Sequence, residues 1–162
     1  MRNSRKTQFV VQAALVAAIY IALTFISSWL GLSGGVIQIR FSEALTVLPA
    51  FIPAAIPGLF VGCLLANILT GSIVLDVVFG SLATLVGAAL THAFRKKKYL
   101  APIPPIVSNT LIVPFILAYA YGFEGNVAYF MLTVGIGEII SCGLLGGILI
   151  SGLKRLKGFR FD

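Results

Sequence analysis

Glu138 is a carboxylate set deep inside a long apolar run, in Thr133-Val134-Gly135-Ile136-Gly137-Glu138-Ile139-Ile140-Ser141. It lies about eleven residues, and so about 16 Å, into the last such run, a depth close to the midplane of a bilayer. Buried there, its two oxygens are suited to accept parallel hydrogen bonds from an amidine-like pair of N–H groups, or to neutralise a ligand ammonium. Gly135 and Gly137 beside it let a ligand or another backbone come close. The plainer alternative is a protonated or hydrogen-bonded glutamate that serves helix packing. Binding is the stronger expectation.

Four further polar side chains stand where a ligand could meet them. Asn109, in Pro104-Pro105-Ile106-Val107-Ser108-Asn109, offers both a donor and an acceptor and is read as a ligand contact. Asp76 is either a helix N-cap favoured by the macrodipole or a binding group. Arg40 and Glu43 are spaced i, i+3, which suits an interfacial ion pair or a gate over the site. Asn67 reads as an interhelical hydrogen-bonding residue. Trp29, Tyr119 and Tyr121 fall where interfacial aromatic belts occur, with stacking on a planar ligand as the alternative.

Other chemistries lack their residues. His92 adjoins the basic run Arg95-Lys96-Lys97-Lys98 with no second histidine or cysteine nearby, which gives a metal or proton relay no support. Cys63 and Cys142 lie within apolar runs without ligand spacing and are expected as buried free thiols. There is no Gly-x-x-x-x-Gly-Lys-Ser/Thr loop and no Ser/His/Asp set in workable order, so neither an ATPase nor another enzyme is expected, and no cofactor or metal.

The elements that must position these residues are membrane helices. Hydrophobic residues make up 59% of the 162, charged residues 10%, and mean hydropathy is +1.03, against about 25% charge in soluble domains. The net charge of +7 is gathered at Arg2, Arg5 and Lys6, at 95–98, and at Lys154, Arg155, Lys157 and Arg160. These positions border apolar runs, as juxtamembrane anchors do, and argue against nucleic acid. The run from Phe9 to Leu30 exceeds a signal-peptide core and is expected as a retained helix.

A core of about 30 Å takes about 20 helical residues. Four spans follow directly, at 9–30, 74–94, 103–121 and 127–153. The stretch 41–70 contains Pro49, Pro53 and Pro57, which break a helix. Two short helices, 42–52 and 55–70, joined through Pro53-Ala54-Ala55-Ile56-Pro57-Gly58, place all three basic clusters on one side, as the positive-inside rule asks. The expectation is a single 1–162 transmembrane domain, an all-α bundle of six helices with both termini cytoplasmic. Loop 31–40 starts with glycine, then alternates apolar and polar residues like an extended segment. It suits either a lid or a plain connector. In the first helix Ala13, Ala14, Ala17, Ala18 and Ala22 recur four apart, a strip for close packing within the bundle or for a partner.

The stretches at 37–51 (opening Ile37-Gln38-Ile39-Arg40-Phe41-Ser42-Glu43), 57–63, 76–85, 104–109 and 134–141 resemble the QueT-type substrate-binding (S) components of energy-coupling factor (ECF) vitamin importers. The resemblance spans nearly the whole chain. It implies a multi-pass plasma-membrane protein that binds a queuosine precursor, a 7-deazaguanine such as 7-aminomethyl-7-deazaguanine, in a cavity near the outer face. It also implies a transmembrane coupling protein and two cytoplasmic ATPases as partners, with the alanine strip as docking surface and ATP hydrolysis toppling the S component. A guanine-like edge has adjacent N–H donors for Glu138 and needs donors such as Asn109, while an aminomethyl arm suits Asp76 or Glu43. Alternatives are an S component for another vitamin, a stand-alone proton-driven transporter or channel using Glu138 and Asp76, and a ligand-free structural subunit.

Overall fold

The computed structural model describes residues 2–33, 37–122 and 124–155, and every regular element among them is a helix. In order these are α1 (Arg2–Trp29), a 3₁₀ helix (Phe41–Ala50), α2 (Ala55–Leu69), a π-helical stretch (Asp76–Gly80) continuing into α3 (Ser81–Ala93), a 3₁₀ turn (Lys98–Leu100), α4 (Ile103–Tyr119), and α5 (Val127–Glu138). A second π stretch (Ile139–Leu145) carries α5 on into α6 (Gly146–Arg155). Four stretches are long and apolar enough to cross a membrane: Ser4–Trp29, Asp76–Ala93, Lys98–Tyr119 and Val127–Arg155. The ten-residue 3₁₀ helix and the 15-residue α2 extend only about 20 and 22 Å.

The proline-broken region departs from expectation in one way. Its first helix is 3₁₀ rather than α. Pro49 contributes no N–H, and the Thr46 hydroxyl donates to the Glu43 carbonyl at 2.6 Å, a local bond that competes with the α-helical ladder. Packing against α1, α2, α3, α6 and the second π stretch holds this unusually long 3₁₀ run at the centre of the bundle. The second helix, α2, starts at Ala55, and Pro57 sits in its first turn, where a missing N–H costs nothing.

The pieces run between two ends of the bundle. At one end Ser28 and Trp29 of α1, Arg40, the end of α2 at 69–72 and Tyr121 surround one cavity. At the other end His92 Nδ1 donates to the Pro49 carbonyl at 2.8 Å, Lys98 Nζ lies 4.4 Å over the Phe51 ring, and Ile150 packs with Val47, Ala50 and Ala101. The turn after the 3₁₀ helix therefore adjoins the basic run 95–98.

α1 and α2 pack closely because two glycines of α2 lie under two alanines of α1. A Cβ on Gly58 would stand 2.6 Å from the Ala13 carbonyl oxygen, and one on Gly62 3.0 Å from the Ala17 Cα. Within the alanine strip, Ala13 and Ala17 are thus turned to α2, while Ala14, Ala18 and Ala22 are exposed.

Candidate functional site

Glu43 is carried by the first turn of the central 3₁₀ helix and is buried. Its Oε1 accepts the phenol of Tyr20, from the middle of α1. Its Oε2 lies 3.5 Å from Asn109 Nδ2 on α4, and that same nitrogen donates to Glu138 Oε1 at 2.9 Å. Two carboxylates thus share one amide group. Glu138, the last residue of α5 and partly buried, has its other oxygen 3.0 Å from the Cys142 thiol. The second π stretch begins directly after it; such bulges re-aim side chains and recur at functional sites.

Around this pair is a narrow chamber of about 20 Å³, room for roughly one water. Next to it, at the end of the bundle where the 31–40 loop lies, a wide chamber of about 710 Å³ opens. Gln38, Arg40 and Asp76 line both and stand between them. Arg40 Nη2 lies 3.9 Å from Asp76 Oδ2 and donates to Gln38 Oε1 at 3.0 Å, while Nη1 reaches Asn67 Oδ1 at 3.4 Å. Asp76 Oδ2 also accepts the Tyr121 hydroxyl at 3.0 Å. Burial, and next the Asp76 charge, push the Tyr121 phenol above its ordinary pKa, so it stays a donor at neutral pH.

Two glycines shape the boundary. Gly80 leaves the space beside Asp76 Oδ1, which a Cβ would approach to 2.8 Å. Gly137 lets the loop lie against α5: a Cβ there would collide with the Gln38 carbonyl oxygen. The loop is pinned further by the Arg40 amide donating to Ser141 Oγ at 3.2 Å, the Phe41 amide to Ser27 Oγ at 2.8 Å, and the Ile39 amide to the Leu32 carbonyl at 2.8 Å. Residues 34–36, where the loop's glycine pair falls, lie outside the described residues.

The five residues singled out from sequence fall into two groups, Glu43, Asn109 and Glu138 in the narrow chamber and Arg40 with Asp76 at its mouth. The i, i+3 ion pair between Arg40 and Glu43 does not form. Arg40 stands just before the 3₁₀ helix in extended backbone (φ −112°, ψ 114°), so helical i, i+3 spacing does not hold for the two: Glu43 faces Tyr20 and Asn109, and Arg40 pairs across the bundle with Asp76. Asp76 is not a cap either: helical backbone already runs at 74 and 75, and its carboxylate faces Arg40 and Tyr121. Asn67 donates to the Asp76 carbonyl at 3.3 Å. Trp29 and Tyr119 are 87% and 78% exposed, as belt residues are, and Trp29 also edges the wide chamber.

Three residues here were not expected from sequence. Tyr20 had a signal, since a phenol amid aliphatic residues needs a partner when buried. Gln38 had one in the polar alternation of its loop. Cys142 had none: it is a buried free thiol as expected, but only the π stretch brings it beside Glu138. The ligand atoms of Glu43, Glu138 and Cys142 lie within 4.8 Å of one another, a grouping no sequence spacing announces. Each is already in hydrogen-bond contact with another side chain.

Comparison with known proteins adds the following. The family model described as QueT transporter matches residues 10–155. A protein of Lactococcus lactis subsp. cremoris (strain MG1363), the queuosine precursor transporter QueT, is 39% identical over 85 residues, which are 52% of this chain and 50% of that protein. The match thus spans about half the length of that relative. No solved structure matches the chain.

Proposed function

The chain belongs to the QueT transporter family, and from that premise we propose that it is the substrate-binding component of an ATP-driven ECF importer for a queuosine precursor, a 7-deazaguanine. It is a multi-pass membrane protein. In the proposed topology the 3₁₀ helix and α2 complete six crossings, the turn between them is cytoplasmic beside Arg95–Lys98, and both termini are on that side. The wide chamber then faces outward.

The observation that carries the reading is the placement of Glu43, Asn109 and Glu138 together, beneath a chamber of about 710 Å³. A guanine-like edge presents adjacent N–H donors to such carboxylates, which are strong acceptors in a dry site. The narrow chamber is too small for a purine, so in this reading the bicycle lies in the wide chamber. Its edge reaches Glu138 once the Gln38 and Arg40 side chains move aside, with Glu43 and Asp76 within reach of a substituent.

The partners are a transmembrane coupling protein and two ATPases, and the docking face is Ala14, Ala18 and Ala22, the part of the alanine strip left open by α2. Small residues in a row let a helix approach closely.

A thermal-shift panel of deazapurines and unrelated vitamins on the purified chain tests the ligand class. Binding to the native state raises stability by mass action, so 7-deazaguanines are expected to raise the melting temperature and the vitamins to leave it unchanged. Concentrative uptake into liposomes by the isolated chain would overturn the coupled importer.

A further inference from the structure

The wide and narrow chambers together are lined by three carboxylates, Glu43, Asp76 and Glu138, and by one cation, Arg40. Arg40 is committed to Asp76. That leaves Glu43 and Glu138 facing each other across the Asn109 amide with no cation among the described residues in hydrogen-bond contact with either. Two carboxylates this close, in a chamber holding about one water, cannot both stay ionised at small cost: opposed like charges in a dry site strongly favour retention of one proton.

The hydrogen bonds indicate where that proton sits. Glu43 is served by the Tyr20 phenol and by one hydrogen of the Asn109 amide. Glu138 takes the other amide hydrogen on Oε1, but among the described residues its Oε2 has only the Cys142 sulfur at 3.0 Å. A thiol is a weak donor, and its single hydrogen has the Glu43 carbonyl, 3.5 Å away, as a second acceptor. Glu138 is therefore the less well stabilised anion.

Resting on the reading of this site as a deazaguanine site, we propose that the empty protein holds one proton on the Glu43/Glu138 pair, seated on Glu138, and that a cationic ligand expels it on binding. The balance is simple: protonated pair plus ligand ammonium gives an ionised pair holding the ammonium, and one proton leaves to solvent. The chamber thereby prefers a ligand that brings its own positive charge, such as an aminomethyl substituent, over a neutral one of the same shape. The other titratable or charged groups facing the pair are Tyr20 from α1, Arg40 before the 3₁₀ helix, Cys63 from α2, Asp76 from the first π stretch, and Cys142 from the second. No charged or titratable residue of α4 lines the narrow chamber.

The sign follows from linkage. A ligand that binds only the proton-free pair gains affinity as pH rises, about tenfold per pH unit while the pair is protonated, and levels off once it is not. Below about pH 9 an alkylammonium keeps its own charge, so the slope there belongs to the protein.

The experiment is calorimetric titration of the purified full chain with 7-aminomethyl-7-deazaguanine, in buffers of different ionisation enthalpy and over about pH 5.5 to 8.5. Release of close to one proton per ligand at the acid end is expected. Its neutral 7-cyano counterpart should bind more weakly, with no proton release and a flat pH profile. Glu138→Gln should bind the amine with the pH slope abolished. Amine binding with no buffer dependence overturns the proposal and leaves the deazaguanine reading standing, as does an equal slope for the nitrile. Binding of neither compound overturns both. The nitrile comparison uses the unaltered chain, so the proposal stays testable if Glu138→Gln fails to fold.

Discussion

Asp76 and Glu43 are almost equally buried, at 4% and 2% exposure, yet the bundle supports them by different means. At the mouth of the site Asp76 meets a cation, Arg40, and a phenol that is partly open to the surroundings, Tyr121. In the narrow chamber Glu43 meets neutral donors only, and one of these, Asn109, is shared with a second carboxylate. A charge paired with an opposite charge is already compensated. A charge held by borrowed neutral donors is not, and the shortfall is what a ligand or a proton can supply. The mouth is therefore compensated in charge without a ligand, and the chamber is built to change occupant.

That contrast predicts that the largest loss comes from the shared donor. Asn109→Leu removes the one amide serving both carboxylates and leaves each of them short of a partner, a loss on the order of 3 kcal/mol for charged groups. Affinity for a 7-deazaguanine should fall by about a hundredfold or more, read by equilibrium binding of radiolabelled ligand. If Asn109→Leu costs no more than a change at Asp76, the distinction between the two regions collapses. Tyr20→Phe is the next most severe. It removes the phenol donor from Glu43 without altering the volume of the α1 core, at a cost of about 2 kcal/mol for a hydrogen bond to a charged acceptor, and affinity should drop by roughly tenfold to thirtyfold.

Sequence reached the members of this site more readily than their grouping. Glu138, Asn109 and Glu43 each show themselves as polar residues beside or within apolar runs, where burial has to be compensated. Their convergence depends on the 3₁₀ helix that carries Glu43, while the extended backbone at Arg40 keeps that residue off the helix, so i, i+3 spacing on an assumed α-helix misreads the pair. The π stretches at Asp76–Gly80 and Ile139–Leu145 shift register by a fraction of a turn and so set where Asp76, Glu138 and Cys142 point. Hydropathy has no term for such a shift. The long helices were legible because run length against bilayer thickness is a coarse measure. The alanine strip was legible as a strip but not as two faces, because only Gly58 and Gly62 of α2 decide that Ala13 and Ala17 are occupied.

At the mouth, Asp76→Asn should be milder than either chamber change. Arg40 loses a partner 3.9 Å away but keeps its bonds to Gln38 and Asn67, and an asparagine can still accept from Tyr121. A partly solvated ion pair contributes about 1 kcal/mol at most. The expected outcome is a fall in affinity of about fivefold that shrinks further in high salt, because ions screen a pair near the opening more than one in the narrow chamber. Measuring the variant at low and high ionic strength checks this, and a salt-independent loss would place Asp76 with Glu43 as a group contacting the ligand in a dry environment.

The smallest effect is expected at Tyr121, and it bears on what the wide chamber is for. Tyr121 is 36% exposed and its hydroxyl donates to Asp76, so Tyr121→Phe deletes that bond, whose acceptor still faces Arg40. The net value of such a bond is about 0.5 to 1 kcal/mol, which corresponds to about a twofold to fivefold change in affinity if the bond only steadies the mouth. The aromatic ring is retained, so stacking on a planar ligand in the wide chamber would survive this change and be lost in Tyr121→Ala. Ligand titrations of the two variants side by side separate the roles. Near-equal, small losses mean that Tyr121 only orders Asp76. A further tenfold loss on removing the ring means that the bicycle rests on it, and the mouth then joins the narrow chamber as part of the binding surface.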